Sequence, residues 1–225
     1  GSPIVNVNNG TVNKSVYGGG KGATAIVTGN PVVTIGDNNA QHVAIVTENV
    51  YGGGDAAAVT GNTSVTYNDN NASSTVANLF GGGNAAGVSG TATVTLTSGK
   101  VLTGIYGGCN ASGKVDGAIA LNINGGQVGT SANSKAYGIF GGGKGSATQT
   151  GDAVTVTIGT ATNAQTYPTI YGDVYGGSAE GQVNDAIGEI TKVWLKKGVI
   201  NGDLYGGGFG DNGANALVNG GAQVV

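Results

Sequence analysis

The apolar residues of this chain fall in short runs, and two patterns of such runs recur along its length. The first is an aliphatic residue, an aromatic residue and two glycines, found at 16–19, 50–53, 79–82, 105–108, 139–142, 174–177 and 204–207. The second is a short run in which alternate residues are apolar, as in Val33-Thr34-Ile35 and Val156-Thr157-Ile158. This alternation predicts β-strands with one buried face.

The two patterns keep a nearly constant distance from each other. The second apolar residue of the strand lies 16 to 18 positions after the motif aromatic in five repeats, and 20 positions after it in the sixth, where Leu195 takes the place. Successive motif aromatics are 26 to 35 residues apart, and stretches rich in Asn, Ser, Ala and Thr absorb most of the difference. A constant frame with variable loops predicts a repeat protein that forms one domain over 1–225.

The residue types of the repeat select its architecture. Gly, Val and Thr dominate, and helix formers are scarce, which argues against a helical repeat. A propeller blade needs four strands in about 40–45 residues, more than the shortest repeat holds. We therefore expect an all-β, right-handed parallel β-helix of about seven coils, with equivalent residues stacked about 4.8 Å apart. The motif glycines are expected at a corner of each coil, where they would permit positive φ angles.

Composition and charge restrict the partners. Only 9% of the residues are charged, the net charge is −3, and the nine basic residues are all lysine. The absence of arginine and of a basic patch argues against nucleic acid. No apolar run approaches the roughly 18 residues of a membrane-spanning segment, so we expect no membrane insertion. A hydrophobic content of 39% with little net charge argues against disorder.

The ends of the chain predict a fragment of a longer repeat protein. There is no methionine, the first residues are Gly1-Ser2, and Gln223-Val224-Val225 lies inside a repeat. Neighbouring repeats of the parent chain are therefore expected partners.

The Tyr/Phe-Gly-Gly repeats resemble, over nearly the whole chain, the parallel β-helix regions of bacterial surface adhesins such as autotransporter passengers. The resemblance implies a secreted or cell-surface bacterial protein, located outside the cell, that serves as a stalk or adhesive module. Its partner would be a host or bacterial surface glycan or protein. The resemblance transfers no functional residues.

From these observations we expect a non-catalytic module whose variable loops, at roughly 36–49, 68–78, 124–138 and 159–173, cluster on one side and contact the partner. The alternative is a carbohydrate-active β-helix enzyme, a polysaccharide lyase or hydrolase. Such enzymes need clustered carboxylates, whereas the acids here are scattered. A minor alternative is an ice-binding solenoid, suggested by the outward column Thr34, Thr66, Thr95, Asn122, Thr157 and Trp194.

The motif aromatics are the candidate ligand surface. Because neighbours on a strand face opposite sides, either they or the preceding aliphatic residues point outward. The rings would then either stack and cover glycine backbone, or offer a surface for sugar rings. Exchange of Tyr with Phe argues against a role for the hydroxyl. The column comprises Tyr17, Tyr51, Phe80, Tyr106, Phe140, Tyr175 and Tyr205.

No catalytic, cofactor-binding or metal-binding residue, and no cofactor, is predicted. Asp173 and Asp203 share a position two before the aromatic and would stack, either as exposed turn residues or as a calcium bridge. His42 is expected at the surface without a recurring acid partner. Cys109 replaces the third glycine of its motif and lacks an ordered base, so it is not expected to be a nucleophile. The residue after the third glycine varies and is expected to be exposed.

Overall fold

The computed structural model describes residues 1–131, 138–160, 167–184, 188, 190–211 and 213–225. These residues form strands and no helix, so none of them forms a helix that could cross a membrane. The strands are β1 Ile4–Val7, β2 Gly10–Val12, β3 Val16–Tyr17, β4 Val32–Ile35, β5 Ala44–Tyr51, β6 Thr63–Asn68, β7 Thr75–Phe80, β8 Ala92–Ser98, β9 Lys100–Tyr106, β10 Ser112–Val115, β11 Ile119–Ile123, β12 Gln127–Val128, β13 Gly138–Phe140, β14 Ala147–Thr150, β15 Val154–Ile158, β16 Thr169–Ile170, β17 Asp173–Tyr175, β18 Ile190–Leu195, β19 Val199–Ile200, β20 Leu204–Tyr205 and β21 Gly221–Val224.

The strands stack in parallel as a β-solenoid of about seven turns, which confirms the predicted fold. Sheet A contains the alternating strands, in the order β1-β4-β6-β8-β11-β15-β18-β21. Sheet B contains eleven strands, among them every strand that ends in the motif aromatic. Sheet C is short, comprising β10 and β14, and single bridges such as Val27 to Val59 and Val59 to Val88 continue it through other coils.

The core lies between the inner faces of sheets A and B. In sheet A the inward residues are fully buried, for example Val65, Leu121 and Val156. In sheet B the aliphatic residues of the motif, such as Leu79 and Ile139, belong to the same core. The aliphatic column therefore faces inward, and the aromatic column faces away from this core.

The motif glycines stand at a corner, as expected, but the expected reason was wrong. Gly107 does not have a positive φ; instead, a Cβ on it would overlap the carbonyl oxygen of Gly141 in the next coil. Close approach of two backbones is what excludes a side chain. Positive φ angles occur at the turns from sheet A to sheet B, as at Gly36 (77°) and Gly126 (73°).

The variable loops lie at two places. The connections 36–43, 69–74 and 159–168 all join sheet A to sheet B, so they share one edge of the solenoid. In two coils between them this connection is short, comprising Gly99 and 124–126. Of the predicted 124–138 loop, 124–126 lies on this edge as expected, whereas 127–128 form β12 and 129–131 follow it within sheet B. Residues 132–137 and 161–166 of the predicted loops lie outside the described residues.

Candidate functional site

The seven motif aromatics form one continuous stack along the solenoid. Adjacent ring centroids are 4.7 to 5.1 Å apart, and adjacent ring planes differ by 2° to 17°. Phe80 is only 1% exposed although it points away from the main core, whereas Tyr205 at the end of the stack is 42% exposed. The spacing follows from the coil repeat, because equivalent residues of adjacent parallel strands are about 4.8 Å apart.

This stacking limits what the column can bind. Each inner ring has both faces against its neighbours, so a sugar ring has no free aromatic face within the stack. The rings also cover glycine backbone, since a Cβ on Gly104 would lie 3.1 Å from the Tyr106 hydroxyl, and one on Gly138 would lie 3.3 Å from Phe140. Only ring edges and the end faces of Tyr17 and Tyr205 can meet a ligand. The use of the column as a ligand surface stays a prediction, restricted to those parts.

Two columns of polar side chains lie beside the stack in the second to fourth coils. One consists of Asn49 and Asn78, and the other of Asp55, Asn84 and Asn110. Asn49 Nδ2 and Asn110 Nδ2 both donate to the Tyr51 hydroxyl at 3.0 Å, and this hydroxyl donates to Asn84 Oδ1 at 3.3 Å. Asn84 Nδ2 in turn donates to Asp55 Oδ1 at 2.8 Å. Burial raises the pKa of Tyr51 to about 12, so its hydroxyl stays protonated at neutral pH.

This network revises two expectations. Of the residues that follow the third glycine, Lys21, Lys144 and Phe209 are exposed as expected, whereas Asp55, Asn84 and Asn110 are partly buried. Tyrosine hydroxyls do have a role, although it is structural. The signal in the sequence is the pairing of Asn with Tyr two residues later, as in Asn49 and Tyr51.

The hydroxyls of Tyr51 and Tyr106 differ in their partners, which yields a testable contrast. We expect Tyr51→Phe to lower the free energy of unfolding by about 1–2 kcal/mol, because it removes a buried acceptor shared by two amide groups. Tyr106, whose hydroxyl has no hydrogen-bond partner among the described residues, should tolerate Tyr106→Phe within about 0.5 kcal/mol. Urea unfolding followed by circular dichroism measures both values, and equal losses would contradict the network.

Asp173 and Asp203 lie on adjacent coils, as the sequence predicted. The Tyr175 hydroxyl donates to Asp173 Oδ2 at 3.0 Å, and the Tyr205 hydroxyl donates to Asp203 Oδ2 at 3.1 Å. The Asp203 amide also donates to Asp173 Oδ1 at 2.8 Å. The hydrogen bond to Asp203 raises the pKa of Tyr205. These bonds account for the placement of both carboxylates. Within the described residues, no three His, Cys, Asp or Glu side chains come together as a metal site would require.

A cavity of about 450 Å³ lies beside the stack in its C-terminal half. Its floor consists of the side chains of Tyr106, Phe140 and Tyr175, and its walls include Lys144, Asp173, Glu180 and Phe209. Gly104 and Gly138 stand where Asn49 and Asn78 stand in earlier coils, so Tyr106 and Phe140 lack the neighbouring amide group that Tyr51 has. The volume suits a small ligand.

His42 and Cys109 have local roles. His42 Nδ1 lies 2.8 Å from Asp37 Oδ2, so the histidine has an acid partner within its own loop. The other ring nitrogen lies 3.5 Å from Asn39 Nδ2, and no nucleophile stands there.

The Cys109 thiol is buried and donates to the Ala86 carbonyl at 3.4 Å. Burial raises its pKa to about 11, which keeps it as the unreactive thiol.

The outward column of sheet A has the predicted register. Thr34, Thr66, Thr95, Asn122, Thr157 and Trp194 are successive partners. Lys192 and Lys196 place their ammonium groups 5.1 and 5.8 Å from the centroid of Trp194. The threonine column is interrupted by Asn122 and ends at a cationic, aromatic position. Beside it on the same face lies a second outward column of Ser64, Thr93, Ala120 and Thr155. The use of the threonine column for ice binding stays a prediction.

A second cavity, of about 390 Å³, lies on the edge where sheet A connects to sheet B. It crosses the short connections at Gly99 and 124–126, between the longer loops on either side. Most of the residues that line it fall in the loops expected from the sequence to contact the partner, at 69–72, 126–127 and 167–171. The cavity itself arises from differences in loop length between coils.

Comparison with known proteins does not assign this chain to a family. No protein-family model matches this chain, and neither the curated proteins nor the solved structures provide a match to it.

Proposed function

We propose that this chain is a non-catalytic structural and adhesive module of a secreted or cell-surface bacterial protein, a stalk that binds its partner through exposed loops. The observation that carries the proposal is the parallel stacking of sheets A and B through all coils, with register shifts in three strand pairs only among the described residues. Such a ladder makes a rigid rod, since each coil is held by its neighbours. Long loops on one edge then present a surface at fixed spacing.

The reactive side chains support binding rather than turnover. Asp173 and Asp203 accept hydrogen bonds from tyrosines, and the Cys109 thiol is buried with a raised pKa. His42 is held by Asp37 in an exposed loop. None of these groups is placed as a base beside a nucleophile, which covalent catalysis requires. The proposed partner is a host or bacterial surface glycan or protein.

One observation favours the second candidate, a polysaccharide lyase or hydrolase. Asp173 and Glu180 both line the 450 Å³ cavity. Enzymes that hydrolyse glycosidic bonds use two carboxylates in their active-site cleft. Glu180 also has a left-handed φ of 70°, a conformation that is often found at functional sites.

A binding and turnover assay separates the two candidates. The protein is incubated with soluble and insoluble bacterial and host polysaccharides, and retained protein and released products are measured together. We expect retention without new reducing ends or unsaturated products. Turnover that is lost in Glu180→Gln, with the fold intact by circular dichroism, would overturn the proposal and establish the enzyme.

A further inference from the structure

The 390 Å³ cavity is built by four successive coils. The loop after β6 contributes Asp69 to Ala72, and the turns after β8 and β11 contribute 97–100 and 126–127. Tyr167, Thr169 and Tyr171 close the other side. Three coil steps span about 14 Å, so the cavity is an elongated cleft across the solenoid edge. We call it the edge cleft.

The wall formed by residues 69–74 is held in place by its own side chains. Asp69 Oδ1 accepts the Asn71 amide at 2.8 Å, and Asn71 Oδ1 accepts the Ser73 amide at 2.9 Å. Asn71 Nδ2 donates to the Ala40 carbonyl at 2.7 Å, which ties the loop to the loop of the coil before it. Both loops contain the sequence Asp-Asn-Asn-Ala, at 37–40 and 69–72. A wall fixed in this way loses little entropy when a ligand binds.

The edge cleft has two charged side chains, Asp69 and Lys100. Asp69 is only 2% exposed, and its Oδ2 is buried without a hydrogen-bond partner among the described residues. Lys100 Nζ donates one of its hydrogens to the Ala72 carbonyl at 2.7 Å. The side chains that have no hydrogen-bond partner among the described residues are uncharged. They are the amide of Asn70 and the hydroxyls of Thr97, Tyr167, Thr169 and Tyr171.

The two tyrosines of the edge cleft differ from those of the motif. Tyr167 is 49% exposed and Tyr171 is half-buried, and neither ring is stacked on another described aromatic ring. Lys197 Nζ lies 5.7 Å from the centroid of Tyr167. Aromatic faces attract the slightly positive C–H groups of a ligand. The edge cleft thus combines ring faces with uncharged donors and acceptors.

We infer that the edge cleft binds a neutral oligosaccharide, an inference that rests on the proposed adhesive function and names its ligand class. A sugar has C–H faces for Tyr167 and Tyr171 and hydroxyls for Asn70 and the threonines. The elongated shape selects an oligomer over a single sugar. The Asp69 carboxylate in the lining repels an acidic ligand, whereas it does not repel a neutral sugar.

Isothermal titration calorimetry tests this with neutral and acidic probes. The neutral probes are cello-, xylo-, manno- and malto-oligosaccharides of four to six sugars, and the acidic probe is an oligogalacturonate. We expect at least one neutral probe to bind more tightly than the acidic one. The double variant Tyr167→Ala/Tyr171→Ala should raise its Kd about tenfold. Asn70→Ala, at an exposed position, should weaken binding without affecting the fold.

The matched control is Ile26→Ala, which removes an apolar side chain that is 53% exposed and lies outside the edge cleft, and which should leave Kd unchanged. Absence of binding by every neutral probe overturns the inference, as does preference for the acidic probe. Binding that survives both Asn70→Ala and the double variant overturns the site while leaving the adhesive function intact. Cleavage of a probe overturns the proposed function itself, and retention of this chain by proteins alone overturns only the sugar assignment.

Discussion

Gly107→Ala is expected to lower the free energy of unfolding by about 3 kcal/mol or more, the upper range for overpacking a core. A Cβ at this position would overlap the carbonyl oxygen of Gly141 and the Cγ2 atom of Ile119. The carbonyl belongs to the backbone of the next coil, so the clash cannot be relieved by a side-chain rotation. Separating the coils would instead weaken the ladders on both sides.

Gly206→Ala is the matched control, because Gly206 holds the same place in the last motif. There the nearest atoms would be Ala222 Cβ at 3.4 Å and Val224 Cγ2 at 3.5 Å, which are ordinary contacts. Neither glycine has a positive φ, so the pair isolates the steric effect. We expect Gly206→Ala to change stability by about 0.5 kcal/mol or less. Urea unfolding compares them, and similar values for both variants would contradict the close approach of the coils.

Phe80→Ala is expected to cost about 3–5 kcal/mol, the range for truncating a buried aromatic residue. Phe80 is 1% exposed and stacks at 5.0 Å on Tyr51 and at 4.7 Å on Tyr106. Its removal leaves a gap in the middle of the column. Both neighbouring rings lose a packed face, and the adjacent coils cannot close because their backbones are already in contact.

Tyr205→Ala provides the comparison within the same column. Tyr205 is 42% exposed and stacks on one ring, Tyr175, at 4.8 Å. We expect a loss of about 1 kcal/mol, close to the average for a point substitution. Thermal and urea unfolding of both variants measure the contrast. A loss for Phe80→Ala no larger than for Tyr205→Ala would show that the stack contributes little to stability.

The sequence predicted the fold because a solenoid repeats its local rules in each coil. The alternation in Val33-Thr34-Ile35 and its counterparts identifies sheet A, and the constant distance to the motif aromatic fixes the register. The constant distance also predicted that Asp173 lies beside Asp203 and that Thr157 pairs with Trp194. These are equivalent positions of adjacent coils, so counting residues along the chain is sufficient to pair them.

Features that depend on contacts between unlike positions were not predictable. Alternation shows that Val50 and Tyr51 face opposite ways, but not which of them faces the core. The bond from Asn110 to Tyr51 joins two different columns, and no period reveals it. The edge cleft exists because short turns lie between long loops, a property of four coils together. Asp37 and His42 pair because a turn of their loop brings them close.

Deleting residues 81–106 tests most directly whether each coil is an equivalent unit held by its neighbours. Phe80 and Tyr106 are register partners, so the deletion joins Phe80 to Gly107 and preserves the motif. We expect the shortened chain to fold into the same parallel β-structure. Its unfolding free energy should be lower, and its urea m-value should fall by about one ninth, since less surface is exposed on unfolding. A shortened chain without native-like circular dichroism or a cooperative urea transition would contradict the account.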